Sequence, residues 1–395
     1  MNTIRAGDRL HGLDAVRGLA LLLGIVFHLA MSFLPGPQIW VAKDVSESRV
    51  LSVAAFAIHL MRMTLFFLIA GLFGRMLFHR LGARAFITNR LQRIALPLVL
   101  AWPLVFAAII QLLRSASADT APQVEWPALS AANFPLTHLW FLYLLLILYT
   151  TVLVVRALVV HTDRVGTFRG RVDLIIRRLF GPWAGLVLAL PVAIALYRHP
   201  YWVMWFGVPT PDMSLYPNRA ALAVYGLSFG LGWLVHRQLA TVLGVWERQW
   251  PFHLLVAVVA TAGCLWTVGV EPLLMPAPQG TRKLWYAAAY ALAIWSWTFA
   301  LLGIGLRYLA NYNGWRRYLA DASYWMYLAH LPLVMALQLA VATWALPWQI
   351  KFLGVLAVTI GALLFSYHYL VRSTVIGAVL NGRRYPRPTS ATIPQ

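Results

Sequence analysis

The chain has 395 residues, of which 61% are hydrophobic and only 11% charged. A water-soluble domain of that size needs far more polar surface, so a soluble globular protein is excluded. The net charge of +20 comes from basic residues set between apolar runs, which argues against nucleic-acid binding, and the single cysteine, Cys264, excludes an intramolecular disulfide and a CxxC metal motif.

Apolar stretches of about 20 residues, enough to cross a hydrocarbon core of roughly 30 Å, recur along the whole chain. They predict an all-α, polytopic transmembrane helical bundle of about ten spans, near 14–34, 53–75, 94–113, 138–158, 183–199, 219–236, 252–270, 284–306, 321–345 and 351–371. Residues 1–372 then form one membrane domain, and 373–395 a basic, disordered tail. Basic residues decide the orientation. Of 32 Lys and Arg, only Lys43, Arg49, Arg114, Arg198, Arg219, Arg282, Lys283 and Lys351 fall in one set of loops, and Arg62 sits mid-span. The rest lie on the other side, which places both termini in the cytoplasm.

The first span carries His28 in its apolar run, LDAVRGLALLLGIVFHLAMSF (13–33). A cleaved signal peptide does not fit, because LPGPQIW follows in place of a small-residue cleavage site. The second span carries His59 and Arg62, three residues apart and so on one helical face. At 1.5 Å per residue, His28 lies about 21 Å from Asp14 at the inner edge, and Arg62 about 20 Å from Arg75. The three groups therefore share one layer in the outer half of the membrane. Ionisable groups are expensive there, so a layer of His, His and Arg points to function over helix-packing polarity. Asp14 cannot orient His28 along an unbroken helix, and no Asp or Glu lies mid-span, so the sequence names no partner for that histidine.

NRLQRIALP (89–97) places Arg90 and Arg93 on one face at the inner mouth. Two guanidinium forks suit phosphate, although positive-inside arginine is the plainer reading of spacing alone. HLWFL (138–142) opens the fourth span with His138 and Trp140. The inner segment 159–182 contains VDLIIRRLF, suited to a surface-lying amphipathic helix, and the outer segment 199–218 is rich in Pro and aromatics, Trp202 and Trp205 among them. GLSFG (226–230) fits G-x-S-x-G, but inside an apolar helix Gly226 and Gly230 read as a close-packing face. The ninth span, DASYWMYLAHLPL (321–333), carries His330. No HExxH, clustered Cys/His set or phosphate-binding glycine loop occurs, so no metal is expected.

LDAVRG with GIVFH, then IHLMRMTLFFLIAGLF, RLQRIALP, HLWFL and ASYWMYLAHLPL resemble, in order, the motifs of the membrane-bound acyltransferase-3 family. The likeness is nearest to the branch that succinylates osmoregulated periplasmic glucans; 159–320 matches only in hydropathy. The resemblance implies a multi-pass bacterial inner-membrane O-acyltransferase. It would move an acyl group from cytoplasmic acyl-CoA, succinyl-CoA being the expected donor, to a periplasmic glucan, with no tightly bound cofactor. His28 is then the catalytic base with Arg62 and His59 beside it. Arg90 and Arg93, the family's RxxR motif, hold the donor together with Arg17. His138, Trp140 and His330 face the acceptor. The pantetheine arm suits the gap of about 20 Å between arginines and histidine. Arg62 would stabilise the oxyanion or hold the distal carboxylate of a succinyl group; the sequence does not separate these roles.

Three alternatives stay open: an O-acetyltransferase of another surface polysaccharide, a transporter, and a structural scaffold. A transporter predicts mid-span carboxylates and repeated halves with broken helices, and neither occurs. A scaffold leaves the intramembrane His and Arg without purpose. Acyl group, glucan size and oligomeric state, a homo-oligomer included, are not written in the sequence.

Overall fold

The computed structural model describes residues 10–117, 128–181 and 183–386, residue 117 by its backbone alone. Arg5, Arg9, Arg387 and the central part of the outer segment 114–137 fall outside these limits. Among the described residues every regular element is helical.

Helix α1 (His11–Ala30) ends in a single 3-10 turn, Met31–Phe33. A loop leads to α2 (Arg49–Leu81), 33 residues long, started by Ser48, whose hydroxyl accepts from the Leu51 N–H. It stops at Gly82, whose φ of +76° few other residues adopt. Helix α3 (Ala83–Arg90) passes through a π-turn at Leu91–Ala95 into α4 (Leu96–Ser117). Next come α5 (Trp140–Thr162), α6 (Thr167–Leu179) and α7 (Ala184–Tyr197). Helices α8 (Arg219–Val235) and α9 (Leu239–Val268) follow, joined by a 3-10 turn at His236–Gln238. The remainder is α10 (Thr281–Tyr308), α11 (Gly314–Val341), α12 (Trp348–Ser366) and the short α13 (Val375–Asn381).

Among the described residues eight helical runs are long and apolar enough to cross a membrane, or nine if the bent pair α6 and α7 makes one span, against about ten spans expected. The difference lies at 219–236 and 252–270, expected as two spans, which belong to one helical run, Arg219–Val268. That run doubles back. Tyr225 stacks on Phe67 and His236 on His79, so α8 runs parallel to α2. Val270, just beyond α9, meets Ser52 at the opposite end of α2. The expected amphipathic segment is α6, which buries Ile176 and leaves most of its other residues exposed. The tail expected to be disordered from 373 instead forms α13 before residue 382, with Leu380 buried.

Helix α2 packs on α1, α8 and α10. Its contact with α8 depends on two glycines. A Cβ at Gly71 would collide with the Phe229 carbonyl, and one at Gly232 with the Leu68 carbonyl. Without a hydrophobic force between helices in lipid, such close backbone approach is what holds neighbours together. The expected pair Gly226 and Gly230 does not do this. Gly226 makes only ordinary contact with Leu148, and nothing lies within 4 Å of a Cβ at Gly230.

Both described ends of the chain share one face of the bundle: Asp14 near the start and Asn381 near the end line the same cavity, beside Arg80, Arg90 and Arg93. The opposite face is closed by ordered loops. Asp44 in the α1–α2 loop pairs with Lys351 of α12, both side chains about 1% exposed. Trp202 and Trp205 in the segment 199–218 are core residues. The Trp202 indole donates to the Gly207 carbonyl, and Trp205 packs edge-on against Phe56.

Candidate active site

Four histidines from four different segments converge on one cavity of about 400 Å³: His28 of α1, His59 of α2, His138 at the mouth of α5 and His330 of α11. Arg62 and Trp140 line it too. All six residues that the sequence assigned to the reacting and acceptor side therefore meet in one place. They come from parts of the chain as far apart as 28 and 330.

Each side chain has a local reason for its position. His28 lies in the last turn of α1, with Gly24 one turn earlier on the same face. A Cβ at Gly24 would approach Arg62 Nη1 to 2.5 Å, so only glycine leaves room for that guanidinium as it stands. Arg62 also lies over the Phe27 ring at 5.2 Å, and His59 stacks on that same ring at 5.1 Å. His138 sits in a 3-10 turn that starts at Thr137, the non-glycine residue with positive φ (+54°) among those described. Strain of this kind concentrates at functional sites.

The Tyr327 carbonyl holds two of the rings. It lies 3.0 Å from His138 Nε2 and 2.8 Å from His330 Nδ1. A carbonyl only accepts, so both of these nitrogens carry hydrogen. The other nitrogens, His138 Nδ1 and His330 Nε2, are buried without a protein partner. His28 Nδ1, His59 Nδ1 and Arg62 Nε are in the same condition. Native proteins rarely leave buried polar atoms unpaired, and such a concentration around a cavity marks a place where a polar ligand supplies the partners.

His28 has no carboxylate behind it. Its ring stacks on Trp40 at 5.6 Å and faces His330 at 5.3 Å. Gln338 of α11 holds this arrangement. Its amide nitrogen donates to the His28 and Leu29 carbonyls at 3.1 and 2.9 Å and to Ser32 Oγ at 3.0 Å. Its oxygen accepts from the Trp40 indole at 2.8 Å. The carbonyls at the end of α1, which have no partner within the helix, are thus tied to α11 together with the ring that packs on His28.

The outer segment 199–218 reaches this cavity, but not through its tryptophans Trp202 and Trp205. Both are packed inside, and it is Phe206, Thr210 and Asp212 of the same loop that reach the cavity. The Thr210 hydroxyl donates to Asp212 at 3.1 Å. Burial pushes the Asp212 carboxyl above its usual value, against the lowering effect of its hydrogen bonds.

Arg17, Arg90 and Arg93 line a second cavity of about 440 Å³ at the arginine face. Among the described residues Arg90 bonds to neutral groups, Asn89 at 2.5 Å and the Tyr149 hydroxyl at 3.4 Å, and to no carboxylate. Arg93 gives one N–H to the Leu380 carbonyl of α13 at 2.6 Å, and Arg17 pairs with Asp14 at 3.2 Å. The π-turn starts directly after Arg90 and contains Arg93, and irregular turns of this type recur at functional sites. The two cavities are continuous in their walls. Leu21, Phe66, Phe141 and Tyr327 line both. Among the described residues no group of three or more His, Cys, Asp or Glu is placed to hold a metal ion.

The helical bundle thus holds two cavities with part of their lining in common, one carrying arginines and the other histidines. The acyltransferase domain family matches residues 10–371, and the chain belongs to it. Its long apolar helices make it a multi-pass membrane protein of that family. Among curated proteins it is similar to "Glucans biosynthesis protein C" of Salmonella paratyphi B, Salmonella heidelberg and Salmonella schwarzengrund. Each is 34% identical over 145 residues, covering 35% of this chain and 36% of the relative. The matched stretch thus spans about a third of those relatives. No solved structure matches the chain.

Proposed function

We propose that this protein takes an acyl group from cytoplasmic acyl-CoA, succinyl-CoA first among donors, and transfers it to a hydroxyl of a periplasmic glucan across the bacterial inner membrane. The observation that carries this reading is the shared wall of the two cavities. A polyphosphorylated head resting on Arg17, Arg90 and Arg93 can extend a thin arm past Phe66 and Tyr327 towards His28. The cofactor need not cross as a whole.

At the far end the sugar hydroxyl enters between His138, Trp140 and Asp212. His28 takes its proton as general base while the oxygen attacks the thioester carbonyl carbon. The C–S bond then breaks, and the CoA thiolate leaves with the proton that His28 returns. Arg62 stabilises the oxyanion or grips a succinyl carboxylate. His330 and His138, each donating its N–H to one carbonyl, hold the acceptor by accepting from its hydroxyls at their free nitrogens.

The test uses the purified full chain with a neutral glucan acceptor and either succinyl-CoA or acetyl-CoA. His28→Ala should abolish transfer with both donors while the protein still inserts and folds. Near-normal turnover by that variant would remove His28 from the chemistry. Arg62→Lys keeps the charge and loses the fork, and kcat/KM should fall by about 1–3 kcal/mol in transition-state terms. A loss confined to succinyl-CoA assigns Arg62 to the carboxylate, and an equal loss assigns it to the oxyanion. Failure of the wild-type protein to acylate glucan with either donor, alongside turnover on another surface polysaccharide, would replace the acceptor.

A further inference from the structure

A third cavity, of about 510 Å³, lies on the side of α2 away from the arginine-lined donor cavity, at the same end of that helix. Arg75 and His79 of α2 face it, whereas Phe73, Leu77 and Arg80 face the donor cavity. At 100° per residue these two sets fall on opposite sides of the helix. The third cavity shares no lining residue with either cavity of the transfer path.

Four arginines surround it: Arg75, Arg156, Arg169 and Arg237. Two are satisfied. Arg237 holds Asp173 at 2.6 Å, and Arg169 holds Asp163 at 3.0 Å. Among the described residues the other two have no carboxylate partner. Arg75 is 8% exposed and lies over the Trp233 ring at 5.2 Å. Arg156 lies over the Phe78 ring at 4.5 Å. The Nε of each is buried without a partner. Two unpaired guanidiniums facing one space repel each other, and a helical bundle keeps such a pair only where an anion completes it.

The remaining wall is apolar. Val152, Val155 and Val159 form a stripe along α5, continued by Phe168 and Val172 of α6. Beside this stripe Val154 and Leu158 are more than half exposed on the lipid-facing surface of α5. A soluble anion has no use for a valine stripe. A phospholipid uses both parts.

We propose that this cavity binds an anionic membrane phospholipid, its phosphate between Arg75 and Arg156 and an acyl chain along the valine stripe of α5. Basic pockets between helices near one membrane surface suit such headgroups. The bound lipid would join α2, α5, α6 and α8 at the face where the donor arrives.

The experiment uses the full chain in neutral detergent, stripped of lipid and then titrated with phosphatidylglycerol, phosphatidylcholine or inorganic phosphate while thermal unfolding is followed. Phosphatidylglycerol should raise the melting temperature, and the two others should not at the same concentration. Arg156→Gln and the double variant Arg75→Gln/Arg156→Gln should need about tenfold more phosphatidylglycerol for half the effect, the scale of one lost charge-assisted hydrogen bond. Arg90→Gln should respond as wild type. Arg156 is only partly buried and makes no ion pair among the described residues, so its single variant stays informative if the double one does not fold. An equal rise with phosphatidylcholine would overturn the proposal, as would an unchanged response in Arg156→Gln. A rise reproduced by inorganic phosphate would show a free-anion site and overturn the lipid assignment.

Discussion

Gly24 occupies the face of α1 that carries His28, and a methyl group there would approach the Arg62 guanidinium to 2.5 Å. The atom to be displaced is the tip of a flexible side chain, so Gly24→Ala should fold with an unchanged melting temperature. Its kcat should nevertheless fall roughly ten- to hundredfold, because displacing a positioned group by about 1 Å weakens transition-state contacts on that scale. Wild-type kcat in this variant would show that the position of Arg62 is immaterial. His28, His59 and Arg62 were legible in the sequence because an ionisable group inside an apolar run is conspicuous and helical rise fixes its depth. Gly24 was not, since a glycine in an apolar helix carries no mark of what packs against it. Asp212 was equally silent, one carboxylate in a loop whose tryptophans drew the eye.

At the scale of elements, α1 and α11 meet through Gln338, which is 1% exposed and bonded on both of its polar atoms. Replacing it by leucine keeps the volume and removes the tie. The carbonyls at the end of α1 and the Trp40 indole then lose their partner, and stability should drop by about 1–3 kcal/mol. We expect Gln338→Leu to lower kcat, because Trp40 no longer holds the His28 ring, and to leave the donor KM unchanged, because the arginines lie at the other face. A raised donor KM with unchanged kcat would count against this role. Helix existence was readable from apolar length. Helix partnership was not: the expected packing glycines, Gly226 and Gly230, differ from the real ones, Gly71 and Gly232, only in which way they face. Helices α8 and α9 belong to one helical run that turns back at the 3-10 turn His236–Gln238, so the two spans expected at 219–236 and 252–270 both lie within it.

For the whole molecule the question is whether two cavities act as one path. Arg90→Ala and Arg93→Ala should each raise the donor KM while leaving the acceptor KM unaltered. They should also weaken the dependence of donor KM on salt, since a screened charge contact is gone. Arg93→Ala should in addition lower stability, because the Leu380 carbonyl of α13 loses its donor. Donor KM values equal to wild type in both variants would return these arginines to a topological role. By itself the sequence determined the class of protein, the helical content and the two levels at which polar residues lie, because hydropathy and rise per residue are local properties. Only the tertiary structure decided that His28, His59, His138 and His330 face one cavity, that the cavity shares its wall with the arginine site, and that Trp40, held by Gln338, packs on the His28 ring. Those facts depend on the rotation of each helix about its axis. In a bundle that is apolar on every side, that rotation is set by the close fit of neighbouring helices and leaves no periodic signature in any single segment.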